Sequence, residues 1–219
     1  MNKRNYQKEL DEIIKNCCMV DADRGRPRLL LHACCAPCSS YCIEYLAEYF
    51  DITLLFYNPN IFPKEEYNKR AKELVKLVNE MEANGVYEKD RVKTVILEYD
   101  PDSFEEMSRG MEHLPEGAGR CYKCYRLRME KAAEYAAKNG FDYFTTTLSI
   151  SPLKNPVWIN EIGEELGLEY NIRHLPSEFR KRGGYQRSIA LSKEYDLYRQ
   201  DFCGCRYSKI ESDERKKRV

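Results

Sequence analysis

The sequence has no hydrophobic run long enough to cross a membrane and no excess of charge of either sign. A membrane-spanning helix needs roughly 18 or more consecutive apolar residues, and residues 1–6 lead into charged positions instead of the apolar core of a signal peptide. The 36 Lys and Arg residues are matched by 36 Asp and Glu residues, so any nucleic-acid site must be a local basic patch. These absences predict a cytoplasmic protein that does not interact with membranes.

The composition is that of a folded protein. With 42% hydrophobic and 33% charged residues, the chain is too apolar to be disordered, and its 219 residues suffice for one domain. We predict a helical appendage over residues 1–27, a single α/β domain over residues 28–207 and a charged, frayed tail over residues 208–219.

Short apolar runs alternate with stretches of helical periodicity along the predicted domain. Such alternation is typical of right-handed βαβ units, which build a mostly parallel sheet with helices on both faces. The predicted fold is therefore a doubly wound α/β sheet with a site outside the carboxyl ends of its strands. The predicted strands span residues 28–33, 52–57, 92–97, 143–147 and 170–173, and the predicted helices span residues 39–49, 64–84, 101–109, 121–138 and 156–166.

The ten cysteines are the main chemical signal. Without a secretion signal they are expected to stay reduced, and clustered cysteines are then more often metal ligands or catalytic groups than disulfides. Seven of them fall at predicted loops or helix starts, where amide groups and the helix dipole stabilise thiolates that select soft metals. These seven are Cys34, Cys35, Cys38, Cys121, Cys124, Cys203 and Cys205. The other three, Cys17, Cys18 and Cys42, are expected to fill the core.

The number of candidate ligands indicates more than one metal. A structural zinc takes four ligands, so seven cysteines are too many for one zinc. A cubane iron–sulfur cluster also takes four thiolates and leaves up to three for a second metal or a redox-active pair. This surplus favours redox catalysis over structural bracing, with Cys35 and Cys38 as candidate catalytic residues. His32, inside the first strand, is either a hydrogen-bonded core residue or a further catalytic group.

Short motifs accompany the cysteines in a fixed order from about residue 29 to residue 205. Each motif alone is weak, but the ordered set is specific and resembles the family of QueH-type epoxyqueuosine reductases. The motifs are HACCAPC at 32–38, YNPN at 57–60, RCYKC at 120–124, TTLSISPLK at 146–154, FRK at 179–181, GYQRS at 184–188, YRQ at 198–200 and FCGC at 202–205.

The resemblance implies reduction of epoxyqueuosine to queuosine at the wobble position of the tRNAs for Tyr, His, Asn and Asp, with electrons from an unidentified donor. It also implies a fold related to the nucleotide-binding α/β superfamily that includes PP-loop enzymes, and a 4Fe-4S cluster beside a mononuclear iron. Our hypothesis from the sequence assigns to the cluster Cys121, Cys124, one of Cys34 and Cys35, and one of Cys203 and Cys205. The remaining cysteines, with Cys38, then hold the second iron.

Binding of tRNA requires phosphate contacts and an aromatic surface for a flipped base. Residues 180–187 combine basic side chains, two glycines and a tyrosine in what we expect to be flexible backbone, and hydroxyl and amide side chains at strand ends could orient substrate hydroxyls. The candidate substrate and tRNA residues are Tyr57, Asn58, Asn60, Arg120, Thr146, Thr147, Ser149, Lys154, Arg180, Lys181, Tyr185 and Arg187.

Two other functions are compatible with parts of the sequence. A PP-loop enzyme that inserts sulfur into tRNA needs a Ser-Gly-Gly-x-Asp-Ser loop for ATP after the first strand, whereas residues 33–40 contain no glycine. A cluster-bearing redox sensor, or a zinc-braced RNA-binding module, would also use clustered cysteines. A colourless, zinc-loaded protein would favour the module, and a brown protein with iron and sulfide in excess of one cluster would favour the reductase.

Overall fold

The computed structural model describes residues 4–19 and 25–217, with side chains described for residues 4–16 and 25–217. Five parallel strands form one sheet in the order β3-β2-β1-β4-β5. The strands are β1 (Arg28–His32), β2 (Asp51–Phe56), β3 (Val92–Ile96), β4 (Tyr143–Thr146) and β5 (Arg173–His174). The helices are α1 (Tyr6–Met19), α2 (Ala36–Leu46), α3 (Lys64–Ala83), α4 (Pro101–Ser108), α5 (Gly119–Lys138), α6 (Pro156–Glu169), α7 (Gly184–Glu194) and α8 (Arg206–Lys217).

The sheet is covered by helices on both faces, which confirms the predicted doubly wound α/β fold. Leu29 and Leu31 of β1 belong to a hydrophobic cluster with residues of α2 and α3, and Leu30 belongs to a second cluster with residues of α5 and α6. Because both faces of β1 are buried, its sequence is continuously apolar instead of alternating. The strand order reverses beside β1, and this is where ligands bind in open α/β sheets.

Local sequence signals set several helix starts. At α6, the Asn155 side chain accepts hydrogen bonds from the amides of Val157 and Trp158, and Pro156 occupies the first turn. Helix α2 begins at Ala36, three residues before the predicted start. Pro37 suits a first turn, and the Cys35 sulfur caps the helix by accepting from the amide of Cys38.

Three predictions for the second half of the chain are wrong. The predicted strand 170–173 is reduced to Arg173–His174, because Asn171 has a positive φ of 51°. The basic segment expected to be flexible enters helix α7 at Gly184. The segment expected to fray forms α8, whose Ser208 and Ser212 are buried, so the charged residues cover only its outer face.

Other predictions are confirmed or stay open. Cys42 is fully buried in the main hydrophobic cluster, as expected of a core residue. The side chains of Cys17 and Cys18 lie outside those that the structure describes, so their role stays a prediction, as does the division into appendage, domain and tail. Within the described ranges, no helix is both long enough and apolar enough to cross a membrane.

Candidate metal centre

The first three cysteines lie between β1 and the first turn of α2. The sulfurs of Cys34, Cys35 and Cys38, hereafter the three-cysteine group, all lie within 4.8 Å of one another. The Cys34 and Cys35 sulfurs are 3.8 Å apart, and the Cys38 amide donates to the Cys35 sulfur over 3.4 Å. The group therefore occupies a helix N-terminus at the carboxyl end of the central strand, where negative charge on sulfur is stabilised.

The three thiols of this group differ in pKa. Hydrogen bonds from the Cys35 and Cys38 thiols hold the pKa of Cys34 well below its usual range. Burial, together with the hydrogen bond to Cys34, raises the pKa of Cys35 to about 12, and hydrogen bonds to Cys34 and Cys35 raise the pKa of Cys38. Cys34 is thus the thiol of this group that deprotonates most readily, and a bound cation would displace protons from the others.

The other four cysteines surround a second, small pocket. Cys121, Cys124, Cys203 and Cys205, hereafter the four-cysteine group, all line it. The first two lie in the first turns of α5, and the last immediately precedes α8. The Gly117 amide donates to the Cys121 sulfur over 3.2 Å, and the Ser208 amide donates to the Cys205 sulfur over 3.4 Å. These sulfurs also sit at helix starts, as the sequence predicts.

The spacing of the sulfurs differs between the two groups. Across the described residues, a set of three Cys, His or carboxylate ligand atoms within 4.8 Å of one another occurs only in the three-cysteine group. Close sulfurs suit a single ion, whereas four thiolates spread around a pocket suit a polynuclear cluster. Burial raises the pKa of Cys124 to about 12 and also raises those of Cys121 and Cys205, so loading this pocket would release protons.

The two groups are neighbours. An open cavity of about 290 Å³ has Cys34 and Cys38 of the first group on its wall together with Cys203 of the second. Cys203, Arg128 and Glu116 line both this open cavity and the pocket of the four-cysteine group. Loops that are far apart in sequence thus bring the seven predicted ligands to one edge of the sheet.

Buried positive charge lies between the sulfurs. The guanidinium of Arg128 is 1% exposed, and its Nε donates to the Cys124 carbonyl over 3.1 Å. Burial acts to lower the pKa of Arg128, but negative charge on Cys124 and Cys203 outweighs burial and raises it. Lys154 lines the open cavity, and its pKa is likewise raised because negative charge on Cys203 and Cys34 outweighs the effect of burial. Both cations favour thiolate over thiol.

The structure places His32 in the hydrogen-bonded environment that was one of its two predicted roles. Its ring is fully buried, with Nδ1 2.8 Å from the Thr146 hydroxyl and Nε2 3.0 Å from the Tyr57 carbonyl. Because a carbonyl only accepts, Nε2 carries the proton and Nδ1 accepts from Thr146. Burial lowers the pKa of His32 to about 4, so the ring is neutral near pH 7. His32 therefore joins β1 to the ends of β2 and β4 as a hydrogen-bonded core residue.

Most of the predicted substrate residues at strand ends are buried, and several of them make hydrogen bonds to the cysteine loop or to neighbouring loops. Asn58 donates to the Ala33 carbonyl over 2.9 Å, and Ser149 lies 2.9 Å from the Ser177 hydroxyl. The Thr147 hydroxyl lies 3.4 Å from the Cys34 sulfur. The buried residues of this predicted set are Tyr57, Asn58, Asn60, Thr146, Thr147 and Ser149. Asn60 also lines the pocket of the four-cysteine group, where its buried Oδ1 atom has no hydrogen-bond partner among the described residues.

The predicted basic residues are mostly engaged in contacts within the protein. Arg120 is 1% exposed and donates to the carbonyls of Met111, Glu112 and Leu114, so it holds the loop before α5 and lies away from surfaces that RNA could reach. Arg180 and Lys181 both pair with Glu178, at 3.0 and 2.8 Å, and Arg187 pairs with Glu44. Tyr185 and Lys154, by contrast, line the open cavity.

Sequence reasoning missed several residues on the cavity wall. Arg70, in the middle of α3, is 2% exposed, pairs with Glu66 over 2.7 Å and donates to the Cys203 carbonyl over 3.1 Å. Charged residues are frequent throughout α3, so nothing in its local pattern singles out Arg70. Arg199 and Gln200 also line the cavity, and the YRQ motif was the available signal for them.

Fold and site together define an α/β protein with two adjacent thiol clusters at the carboxyl ends of parallel strands. A family model described as "Epoxyqueuosine reductase QueH" matches residues 29–211. The chain belongs to this family, which confirms the resemblance seen in the motifs.

Relatives that carry the name Epoxyqueuosine reductase QueH cover most of the chain. The protein from Staphylococcus epidermidis is 43% identical over 206 residues, which are 93% of this chain and 84% of the relative. The protein from Streptococcus pyogenes serotype M1 is 41% identical over 94% of this chain and 78% of its own length. The protein from Thermotoga maritima is 35% identical over 85% of this chain and 93% of its own length.

Proposed function

We propose that this chain reduces epoxyqueuosine to queuosine at the wobble position of tRNA, as the final step in making that nucleoside. Membership of the family supports the activity. The observation that carries the proposal is the pairing of two thiol clusters beside one open cavity of about 290 Å³. Removing an epoxide oxygen consumes two electrons and two protons and yields an alkene and water, so the site must supply electrons and take up oxygen.

The two thiol clusters divide these tasks. We assign a mononuclear iron to the three-cysteine group and a 4Fe-4S cluster to the four-cysteine group. This assignment revises the hypothesis from the sequence, which gave the cluster one of Cys34 and Cys35, because those two sulfurs lie with Cys38 within 4.8 Å. When bound, these groups supply single electrons and a Lewis-acidic acceptor for the epoxide oxygen.

The side chains of the cavity bind and orient the substrate. Lys154 holds its proton at Nζ and lines the cavity with Cys34, so its ammonium group donates a hydrogen bond to the epoxide oxygen as the carbon–oxygen bonds break. Among the described residues it makes no ion pair, which leaves the ammonium group available to the substrate. The ring of Tyr185 lies on the same wall and provides a stacking surface for the base.

The tRNA binds over the mouth of this cavity with its wobble nucleotide turned out of the anticodon stack. Leu153, which is 70% exposed, and the basic residues Arg199 and Arg215 line the cavity and suit contacts to unstacked bases and phosphates. The proposed substrates are the tRNAs for Tyr, His, Asn and Asp. Arg180 and Lys181 are proposed as further contacts to the tRNA phosphates, and the electron donor is left unnamed.

The activity is tested with tRNA that carries epoxyqueuosine. Iron-loaded protein, a chemical reductant and this tRNA are mixed without oxygen, and the digested nucleosides are measured by mass spectrometry. We expect queuosine to form at the expense of epoxyqueuosine, and Lys154→Met to reduce kcat by about 100-fold, the range of a lost proton donor. Lys123→Met, an exposed cation on α5, is the control. Absence of queuosine with fully loaded protein contradicts the proposal.

The metal assignment is tested by iron analysis of variants purified without oxygen. Cys124→Ser should lose the cluster and retain about one iron atom per chain, whereas Cys38→Ser should retain about four, because a cubane holds four irons. Cys42→Ser is the control, since this thiol is buried in the core outside both groups. Equal losses of iron in the first two variants, or full loading of both, would refute the assignment.

A further inference from the structure

One buried cation is shared by both thiol clusters. Arg128 lies in α5, four residues after Cys124, and lines both the open cavity and the pocket of the four-cysteine group. Its guanidinium donates from Nε to the Cys124 carbonyl over 3.1 Å and from Nη1 to the Asn58 Oδ1 atom over 3.5 Å. Its Nη2 atom is buried and has no hydrogen-bond partner in the part of the chain that the structure describes.

Among the described residues, no carboxylate pairs with this charge. Within residues 4–16 and 25–217, Arg128 makes no ion pair within 4.0 Å, although Glu116 lines the same two cavities. Arg70, on the wall of the open cavity, pairs with Glu66 over 2.7 Å, whereas Arg120, on the pocket of the four-cysteine group, donates to three backbone carbonyls. A buried cation without a counter-charge is strongly unfavourable. Once deprotonated, Cys124, Cys203 and Cys34 are the thiols whose negative charge acts most strongly on Arg128.

We propose that Arg128 is the fixed counter-charge of the iron–sulfur group held by the four-cysteine group and that it raises the reduction potential of that group. This inference rests on the proposed function only in taking the four-cysteine group to hold an iron–sulfur cluster. Reduction adds an electron to a site already made negative by thiolates, and a nearby buried cation lowers the energy of the reduced form more than that of the oxidised form. Arg128 thus acts through the bound group and is not expected to contact the substrate.

A purely structural role is the competing explanation. Through Asn58, which donates to the Ala33 carbonyl, Arg128 links α5 to the loop that carries the three-cysteine group. A brace of this kind depends on the forked guanidinium, whereas charge compensation depends on the positive charge. Arg128→Lys keeps the charge and loses the fork, and Arg128→Gln loses the charge while retaining an amide donor. The two roles therefore predict different rankings of these variants.

The test is a redox titration of the iron-loaded protein alone, followed by electron paramagnetic resonance of the cluster. At a fixed solution potential, Arg128→Gln should lower the ratio of reduced to oxidised cluster by about tenfold, which is about 59 mV for a one-electron couple. Arg128→Lys should stay within about threefold of the wild type. Arg126→Gln is the matched control, because it removes a partly exposed arginine of the same helix that lines neither cavity, and it should leave the ratio unchanged.

Each other outcome also decides the question. A potential that is the same in Arg128→Gln and wild type, with equal iron content, overturns the inference, and so does an equal shift in the Gln and Lys variants. If Arg128→Gln takes up no cluster, Asn58→Asp places a carboxylate beside the guanidinium. A lowered ratio in that variant then supports the inference, and an unchanged ratio overturns it. If the wild-type protein binds no iron, the proposed function is wrong. If it binds iron but substitution of Arg128 leaves the reduction potential unchanged, only this inference is wrong.

Discussion

The adjacent glycines 183 and 184 allow a sharp test of how α7 is held against the open cavity. A Cβ atom at Gly184 would clash with the Phe179 carbonyl oxygen and with the ring of Tyr41. At Gly183, whose φ is +78°, a Cβ atom would meet nothing within 4 Å, so the cost there is conformational only. Substituting alanine at each position therefore separates a packing cost from a backbone cost.

We expect Gly184→Ala to cost about 3 kcal/mol of unfolding free energy, the upper part of the range for overpacking, because one of the clashing atoms belongs to the backbone. Gly183→Ala should cost about 1 kcal/mol, the usual penalty for a non-glycine residue at positive φ. Urea unfolding of both variants measures the difference. A shift of α7 should also raise KM for tRNA in Gly184→Ala, because Tyr185 and Ser188 of α7 line the cavity. Equal losses of stability in the two variants would refute the steric reasoning.

Two further predictions concern buried polar groups away from the metal centre. Burial lowers the pKa of His174 to about 3, so below pH 6.5 the unfolded chain binds a proton that the folded chain does not. The free energy of unfolding therefore decreases as the pH is lowered. Between pH 6.5 and pH 5, the free energy of unfolding of His174→Phe should decrease by about 2 kcal/mol less than that of the wild type, as measured by urea unfolding. The same pH dependence in both proteins would contradict the lowered pKa of His174. Asn160 is fully buried and makes three hydrogen bonds, to the Pro156 carbonyl and to the carbonyl and amide of Ser177. Asn160→Leu should cost about 3 kcal/mol, because it leaves the Ser177 groups unpaired, and a loss below about 1 kcal/mol would show that water replaces them.

Local sequence patterns were sufficient for much of the fold. Continuous apolar runs predicted the strands, because a strand of a parallel sheet is buried on both faces, and helical periodicity predicted a helix from Pro156, where α6 begins. The same patterns failed where the decisive contact is distant. Helix α7 begins where Gly184 packs against Tyr41, and α8 is held by the buried Ser208 and Ser212, neither of which a local pattern reveals.

For the site, the sequence by itself determined the ligands and their chemistry: seven cysteines at helix starts, where amide groups and helix dipoles favour thiolate. Only the tertiary structure decided how they are grouped, because Cys203 approaches Cys34 and Cys124 through the packing of loops far apart in the chain. The structure also decided the roles of charge and hydrogen bonding. His32 has two hydrogen-bond partners, and Arg128 lines both thiol clusters without an ion pair to any described carboxylate. Residue type fixes what a side chain can do chemically, whereas burial and distance, which depend on the whole fold, fix what it does.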